Sequence, residues 1–334
     1  MNVSRRDFLK LSGLALGGAL LPPTPPEEAP RQVQSLGRAV RAISIYNRPS
    51  LNAASRFIMA ADTVFNVYST VLSNDDHYNR VWYETNGGYV YSGHAQPVRW
   101  ELQTPVPKVP AEGFLGEVTV PFTRPVNSST GKTGYRFYYG TTHWVTGAEA
   151  DDNKVIWYRI FDELDKSIAW VRAEHIRRVP PDEVTPLSPG VAGKRIEINL
   201  EKQTFQCFEG SRKVLDVLCS TGVYLRTEKG KRIYGTPSGD WSITRKRASR
   251  HMAGDDLAAE DFYDLPGVPW VSYFHWWGVS IHGTYWHNDY GKPHSHGCIN
   301  LPPETAKWVF RWSLPLPALD RKLVEGSGTQ VIVT

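Results

Sequence analysis

The sequence predicts a mainly β protein, and three observations support this prediction. The chain has 334 residues with 12 tryptophans, 16 tyrosines, 28 glycines and 24 prolines, a composition that favours strands separated by frequent turns. Residues 195–200 (R-I-E-I-N-L) alternate polar and apolar side chains with period two, as a strand with one buried face does. A pattern of large aromatic residues around a short turn also occurs twice in the first half of the chain.

Composition and charge narrow the class of protein. The content of 41% hydrophobic and 22% charged residues is typical of a globular protein, and the length leaves room for two or three domains. A formal net charge of +4 is too small to indicate nucleic-acid binding, but it suits an anionic cell envelope. We expect a monomer with no nucleic-acid partner.

Residues 1–30 read as an export signal and a linker. The stretch S-R-R-D-F-L-K at 4–10, followed by an apolar run at 11–21, resembles a twin-arginine signal. The run is shorter than the ~20 residues that a membrane span needs, so we expect no membrane span. A proline-rich linker follows at 22–30. The sequence therefore predicts export by the twin-arginine route and an extracytoplasmic location at the cell wall.

The repeated aromatic pattern predicts two small β-modules, at 31–110 and 111–180. V-W-Y-E at 81–84 leads to G-Y-V-Y-S at 88–92, and I-W-Y-R at 156–159 leads to A-W-V-R-A at 169–173. Both resemble bacterial SH3-like domains, which are small β-barrels that often accompany wall enzymes. The aromatic side chains of Tyr89, Tyr91 and Trp144 either bind wall polymer or form the module cores. A second linker follows at 181–193, and a further domain at 194–334.

The stretch 280–300 (S-I-H-G-T-Y-W-H-N-D-Y-G-K-P-H-S-H-G-C-I-N) carries the residues suited to catalysis. A cysteine thiol has a pKa near ~8.5, so Cys298 needs a base or aligned amides to become a nucleophile at neutral pH. His282 is our candidate base. Gly297 permits a bend at which inward-pointing amides would form an oxyanion hole. Together these residues point to acyl transfer through a thioester.

The spacing of this stretch resembles the signature of the YkuD-type L,D-transpeptidase catalytic domain. Twelve residues separate His282 from S-H-G-C-I-N at 295–300. This gap is at the short end of the family's range, which predicts a small loop over the site. The resemblance implies that Cys298 is the nucleophile and His282 the base, with no cofactor. It also implies a β-sandwich with one or two short helices.

The resemblance also assigns supporting roles. It implies that amides near Gly297 and Cys298 bind the oxyanion and that the Gly283 carbonyl orients His282. Ser295, His296 and Asn300 occupy motif positions that shape the pocket, with Asn300 as a substrate contact. The aromatic stretch 270–277 (W-V-S-Y-F-H-W-W) either lines the groove for the acyl donor or is a buried strand. Trp270 and Tyr273 are its candidate substrate contacts.

Other elements support the same domain. We expect a hairpin from strands at 203–208 and 213–219, a short helix at 302–310 begun by proline, and a final strand at 330–333. The segments S-T-G at 220–222 and T-P-S-G at 236–239 precede the motif, in the order seen in the family. Cys207 and Cys219 do not face one another across the predicted hairpin, so we expect two buried free thiols.

The resemblance implies a peptidoglycan L,D-transpeptidase that takes the third residue of a stem tetrapeptide as a thioester and releases D-alanine. With water or a protein lysine as acceptor, the same site gives an L,D-carboxypeptidase or a wall-anchoring enzyme. A zinc-dependent wall peptidase is a separate alternative, because the region contains six potential ligands: His275, His282, His287, His294, His296 and Cys298. H-x-C is an unusual zinc spacing, and H-E-x-x-H is absent from the sequence. A wall-binding protein with an inactive catalytic domain is a third alternative.

Overall fold

The computed structural model describes residues 31–127, 135–164, 166–226, 232–254, 263–318 and 322–334. The predicted twin-arginine signal lies outside the described residues. The predicted mainly β fold is confirmed: the described residues form 28 strands and one α-helix. In the same described part of the chain, no helix is long and apolar enough to cross a membrane.

The first β unit lies within residues 34–98. Its strands are β1 (Ser35–Ala39), β2 (Ile43–Tyr46), β3 (Ser55–Met59), β4 (Val64–Val67), β5 (Ser69–Leu72), β6 (Val81–Thr85), β7 (Gly88–Tyr91) and β8 (Ala95–Val98). They form a three-stranded sheet in the order β4-β1-β8 and a five-stranded sheet in the order β3-β2-β7-β6-β5. Ile45, Phe65 and Val90 are among the buried residues of its core.

The second β unit lies within residues 114–178. Its strands are β9 (Phe114–Val118), β10 (Phe122–Thr123), β11 (Val126–Asn127), β12 (Phe137–Tyr138), β13 (Thr142–Ala150), β14 (Ile156–Phe161), β15 (Ile168–Arg172) and β16 (Ile176–Arg178). A six-stranded sheet runs in the order β11-β15-β14-β13-β9-β16, and β10 pairs with β12. Its core includes Val145, Tyr158 and Val171.

The aromatic repeat corresponds to one local structure that occurs in both units. In the first unit, the β6–β7 hairpin leads through a 3₁₀ turn (Ser92–His94) into β8. In the second, the β14–β15 hairpin leads through a 3₁₀ turn (Ala173–His175) into β16. The two patterns therefore form the same sequence of elements, while their assignment to SH3-like domains stays a prediction.

The remaining strands lie within residues 194–333. They are β17 (Lys194–Asn199), β18 (Thr204–Glu209), β19 (Arg212–Leu218), β20 (Tyr224–Arg226), β21 (Arg232–Tyr234), β22 (Gly239–Ser242), β23 (Arg245–Ala253), β24 (Asp264–Tyr273), β25 (Ser280–Gly283), β26 (Ile299–Leu301), β27 (Val324–Glu325) and β28 (Gln330–Val333). A third 3₁₀ turn (Pro181–Val184) precedes them, and helix α1 spans Pro303–Trp312.

Two five-stranded sheets sandwich the main core. One runs in the order β19-β18-β17-β28-β22 and the other in the order β26-β25-β24-β23-β27. Ile198 and Phe205 from the first sheet and Ile281 and Ile299 from the second share one buried cluster. Helix α1 adds Phe310 to this cluster, so burial of apolar area joins both sheets and the helix.

Two buried lysines hold the C-terminal end of α1. Lys246 Nζ donates to the carbonyl oxygens of Phe310 (2.8 Å) and Ser313 (2.5 Å), and Lys194 Nζ donates to Trp312 O (2.8 Å). The last carbonyls of a helix have no partner within the helix and carry partial negative charge, which a cation stabilises. These bonds hold in place the helix that follows β26, the strand directly after Cys298.

The β18–β19 hairpin turns at Gly210, as predicted. Cys207 pairs with Leu215 across this hairpin, whereas Cys219 lies beyond the end of β19. Both thiols are free and buried, and burial raises the pKa of each. They are therefore core residues without the access that a nucleophile needs.

Candidate active site

Neighbouring parallel strands bring the predicted catalytic residues together. In the β25–β26 pair, Ile281 is level with Ile299 and His282 is level with Asn300, so Cys298 lies beside Ser280 at the start of the pair. Ile281 and Ile299 point into the main core. Because side chains alternate along a strand, Ser280, His282 and Cys298 share the opposite face. Ser280 Oγ lies 3.6 Å from Cys298 Sγ.

The His282 imidazole is held by the carbonyl of the next residue. His282 is buried, and its Nδ1 lies 3.1 Å from Gly283 O. A carbonyl oxygen only accepts, so Nδ1 carries the proton and Nε2 is left with a lone pair. Burial lowers the pKa of His282 to about 4, against a smaller rise from the Gly283 hydrogen bond. The ring is therefore neutral at pH 7 and is equipped to accept a proton at Nε2.

The Cys298 thiol is also neutral at rest. Burial raises its pKa, while hydrogen bonds from Ser280 act in the opposite direction. Cys298 keeps partial exposure, unlike the two other cysteines. The site therefore contains a neutral thiol and a neutral imidazole, rather than a preformed thiolate–imidazolium pair.

A tight turn before Cys298 fixes its backbone. Ser295 Oγ accepts from Gly297 N (3.0 Å) and donates to Cys298 O (2.6 Å). Gly297 has φ +149°, and a Cβ there would lie 3.0 Å from Gly235 O. Only glycine fits this conformation and this close approach without strain. Since Ser295 Oγ takes the Gly297 amide, that amide is engaged within the turn rather than open to an oxyanion.

The two short segments that precede the motif brace the same turn. Thr236 Oγ1 donates to Gly297 O (2.7 Å) and accepts from Gly222 N (2.8 Å). A backbone bridge also links Gly222 with Ser295. The S-T-G and T-P-S-G segments thus help to fix the backbone conformation of the residues next to Cys298.

The structure buries two of the predicted substrate contacts, Trp270 and Asn300. Trp270 is 2% exposed, and its ring packs in the core against Phe310 (5.5 Å between centroids) with Lys307 Nζ 5.2 Å from its own centroid. Asn300 is fully buried; its backbone pairs with Ser220 and its amide Nδ2 lies 2.9 Å from His287 Nε2. Neither side chain presents appreciable surface to solvent, which disfavours direct contact with a substrate, and their role stays a prediction.

Tyr273 and His296 differ in exposure. Tyr273 is 8% exposed and packs in a smaller buried cluster with Val268 and Val271, and burial raises its pKa. His296 is exposed, with its ring 5.0 Å from that of Tyr263 at the edge of the β23–β24 hairpin. The turn that carries Cys298 is therefore in contact with this hairpin.

The loop at 284–294, here called the active-site loop, supplies residues that the sequence did not indicate. Asp289 is fully buried and accepts a 2.7 Å hydrogen bond from Tyr91 of the first β unit. Lys292 Nζ lies 2.5 Å from the same carboxylate. The backbone N–H of Asp289 donates to His287 Nδ1. Burial alone would raise the pKa of Asp289, but hydrogen bonds from His294, Lys292 and Tyr91 outweigh it and hold this pKa well below its usual range. Through His287, this network reaches Asn300 of the motif.

Ser280 was also missed, although its spacing could have revealed it, because residues at i and i+2 on a strand share a face. Asp289 has no comparable signal, since its partner Tyr91 is 198 positions away. Among the described residues, no group of three or more His, Cys, Asp or Glu side chains is arranged to hold a metal ion.

The part of the chain that contains this site resembles known proteins. Residues 193–333 match the family model described as the L,D-transpeptidase catalytic domain, YkuD. A comparison with curated proteins gives no match.

Similar solved structures include an L,D-transpeptidase from Xylanimonas cellulosilytica, with 25% identity, 45% of this chain and 63% of that chain covered, and a TM-score of 0.29. A second, from Enterococcus faecium, has 24% identity, 44% and 51% coverage, and a TM-score of 0.31. A third, from Mycobacterium smegmatis, has 18% identity, 54% and 90% coverage, and a TM-score of 0.33. The chain thus spans less than two thirds of the first two.

The family match covers the sandwich that carries Cys298 and His282. Residues 193–333 are therefore a YkuD-type L,D-transpeptidase catalytic domain.

Proposed function

We propose that the protein is an exported peptidoglycan L,D-transpeptidase that works through a thioester on Cys298. The observation that carries the proposal is the shared polar face of β25 and β26. On this face Cys298 lies beside Ser280, and His282 follows Ser280 by two positions on the same strand. Export rests on the twin-arginine pattern at 4–10. The peptidoglycan stem peptide is the substrate that this domain type implies.

In the first half-reaction, Cys298 Sγ attacks the carbonyl carbon of the third residue of a donor tetrapeptide. His282 Nε2 takes the thiol proton as the C–S bond forms, because both groups are neutral at rest. The Gly297 amide is held by Ser295, so we assign the main oxyanion contact to the amide of Cys298. The C–N bond then breaks, and D-alanine leaves with the proton from His282.

In the second half-reaction, an amine of a neighbouring stem attacks the thioester carbonyl. His282 accepts the amine proton and returns it to sulfur as the C–S bond breaks. One amide bond is exchanged for another, so the cycle needs no external energy source or cofactor. Ser280 Oγ keeps the sulfur in place throughout.

Intact-protein mass spectrometry after exposure to a carbapenem tests the nucleophile. We expect one covalent adduct on the wild type and none on Cys298→Ala. Cys219→Ala is the matched control, because Cys219 is a free but buried thiol, and it should acquire the adduct. An adduct that persists on Cys298→Ala would contradict the mechanism.

The acyl acceptor is tested by product analysis with stem tetrapeptides. We expect cross-linked dimers together with an equal amount of released D-alanine. Tripeptide in place of dimer would show that water is the acceptor, as in an L,D-carboxypeptidase. Linkage to a protein lysine would show wall anchoring.

A further inference from the structure

Two adjacent tryptophans on the catalytic domain point into solvent. Trp276 is 74% exposed and Trp277 is 70% exposed, on the turn that joins β24 to β25. They are the most exposed large apolar side chains described within residues 194–334. Exposed indoles forgo the favourable burial of a large apolar surface, which suggests that something else covers them.

The turn holds both indoles in a defined arrangement. Gly278 N donates to His275 O (3.1 Å), and Trp277 N donates to His275 Nδ1 (3.3 Å). The buried His275 ring lies 5.6 Å from the Trp276 ring, 5.2 Å from the Trp277 ring and 4.4 Å from that of Trp241. The two indole centroids are 4.7 Å apart, with their planes at 58°. Together they form a preorganised aromatic platform, defined here as Trp276 and Trp277.

The platform lies close to the nucleophile. Ser280 follows Trp277 by three positions, and three extended residues span at most ~10 Å. Ser280 Oγ is 3.6 Å from Cys298 Sγ. Val279, between the platform and Ser280, has a side-chain carbon 3.7 Å from the position of a Cβ on Gly297. A ligand on the platform would therefore be within reach of a group that reacts at Cys298.

The chemistry of the platform suits sugar rings. One face of a pyranose presents C–H groups that pack on an indole, while its hydroxyl groups stay in water. Two neighbouring indoles offer surface for consecutive rings. Surfaces that bind bilayers combine aromatic with basic side chains, whereas the exposed residue next to Trp241 is the acidic Asp240.

We propose that Trp276 and Trp277 bind pyranose rings of the glycan strand that carries the donor peptide. This inference rests on the proposed function, because it takes the third stem residue as the one attacked. Three extended residues span ~10 Å, so the sugar that bears the stem lies about as far from the thiol as the platform does. The enzyme would thus recognise the glycan and the peptide of one donor together.

The first test compares two donors with the full chain: a free stem tetrapeptide and the same tetrapeptide on a glycan oligomer. We expect Trp276→Ala/Trp277→Ala to lower the ratio of kcat/KM for the glycan-linked donor to that for the free peptide by about tenfold. The change should lie in KM rather than kcat. Leu316→Ala, which removes another exposed apolar side chain of the domain (43% exposed), should leave the ratio unchanged.

A second test measures binding without turnover. Cys298→Ala protein should bind a peptide-free glycan oligomer, with loss of that binding when both tryptophans are also replaced. If the wild type turned over neither donor, the proposed function would fail, and this measurement would still decide the glycan site.

Three outcomes would overturn the proposal that the platform binds glycan. They are an equal loss of kcat/KM on both donors, glycan binding that survives replacement of both tryptophans, and tryptophan-dependent binding to phosphatidylglycerol vesicles with unchanged glycan kinetics.

Discussion

The catalytic domain is held by the two preceding β units in different ways. The first unit makes the loop contact, defined as the contact between residues 34–98 and the active-site loop; it is centred on the buried carboxylate of Asp289. The second unit makes the hairpin contact, defined as the contact between residues 135–164 and β23–β24; it is centred on His251, which bonds both Asp162 (2.7 Å) and Asp264. Both contacts lie within one compact unit, residues 34–334.

The loop contact is buried and leads to the active site. Besides Asp289, it includes Arg38, which is 2% exposed and donates to Tyr285 O at 2.7 Å. From Asp289, hydrogen bonds continue through His287 to Asn300, which pairs in register with His282. The first unit is therefore linked to the strand pair that carries His282, the proposed base.

The hairpin contact includes side chains that lie nearer to solvent, such as Asp264, which is 36% exposed. Arg247 also pairs with Glu163 at 2.6 Å, where both side chains keep some exposure. Ionic interactions near solvent contribute less than those between desolvated groups. The pKa shifts indicate that the loop contact keeps its stability into acidic pH, whereas the hairpin contact weakens as pH rises.

The largest expected effect comes from removing the centre of the loop contact. Asp289→Ala leaves Tyr91 and Lys292 without their shared partner, and should lower the free energy of unfolding by about 3 kcal/mol. Activity should fall as well, because Tyr91 and Lys292 no longer hold the active-site loop in place. Chemical denaturation measures the stability, and Asp264→Ala on the hairpin contact is the comparison. Equal losses for the two variants would erase the distinction between the contacts.

A narrower change removes one hydrogen bond of the loop contact. Tyr91→Phe deletes the hydroxyl that donates to Asp289 and should cost about 1.5–3 kcal/mol, the range for hydrogen bonds to charged groups. Tyr89→Phe, on the same strand, is the matched control and should have little effect. Turnover of a stem tetrapeptide should fall for Tyr91→Phe, and unchanged turnover would separate the loop contact from catalysis.

The hairpin contact should depend on pH. Burial lowers the pKa of His251, but hydrogen bonds and charge from Asp162 and Asp264 outweigh it and raise the pKa above 6.5. A raised pKa gives stability that is fully present below pH 6.5 and lost as pH rises through the folded-state value. His251→Gln should flatten this loss, which is on the order of 1 kcal/mol for such a pair. Melting temperatures between pH 6 and 9 provide the measurement.

The loop contact gives the opposite sign and serves as the reference. The pKa of Asp289 is lowered, so the stability that its ionised carboxylate contributes is present above pH 3.8 and is lost only as the pH falls further. Equal slopes for wild type and His251→Gln from pH 6 to 9 would contradict the assignment of the titration to His251.

The smallest expected effect concerns a single ion pair of the hairpin contact. Arg247→Gln should lower the free energy of unfolding by about 0.5 kcal/mol, because Arg247 and Glu163 are 21% and 28% exposed and are screened by solvent. High salt should reduce the difference between variant and wild type. A loss as large as that of Tyr91→Phe would show that the two contacts are more alike than their burial indicates.

Local patterns predicted much of the catalytic domain. The hairpin at Gly210, the helix begun by Pro303 and the last strand, 330–333, follow from turn residues, capping and alternation. The motif located Cys298 and His282 because their spacing is local. The burial of Trp270 was harder to foresee. Its backbone adopts φ +62°, which is uncommon for a large residue, and its ring lies in the core.

The sequence by itself determined the β class, the catalytic motif and the residues at its turn, because strand period and glycine conformation depend on neighbours in the chain. Only the tertiary structure decided that Asp289 meets Tyr91, that Asn300 is buried and that Trp276 and Trp277 are exposed. Those features depend on which surfaces come together across large sequence separations. A strand pattern fixes which side chains share a face, whereas the fold determines what that face meets.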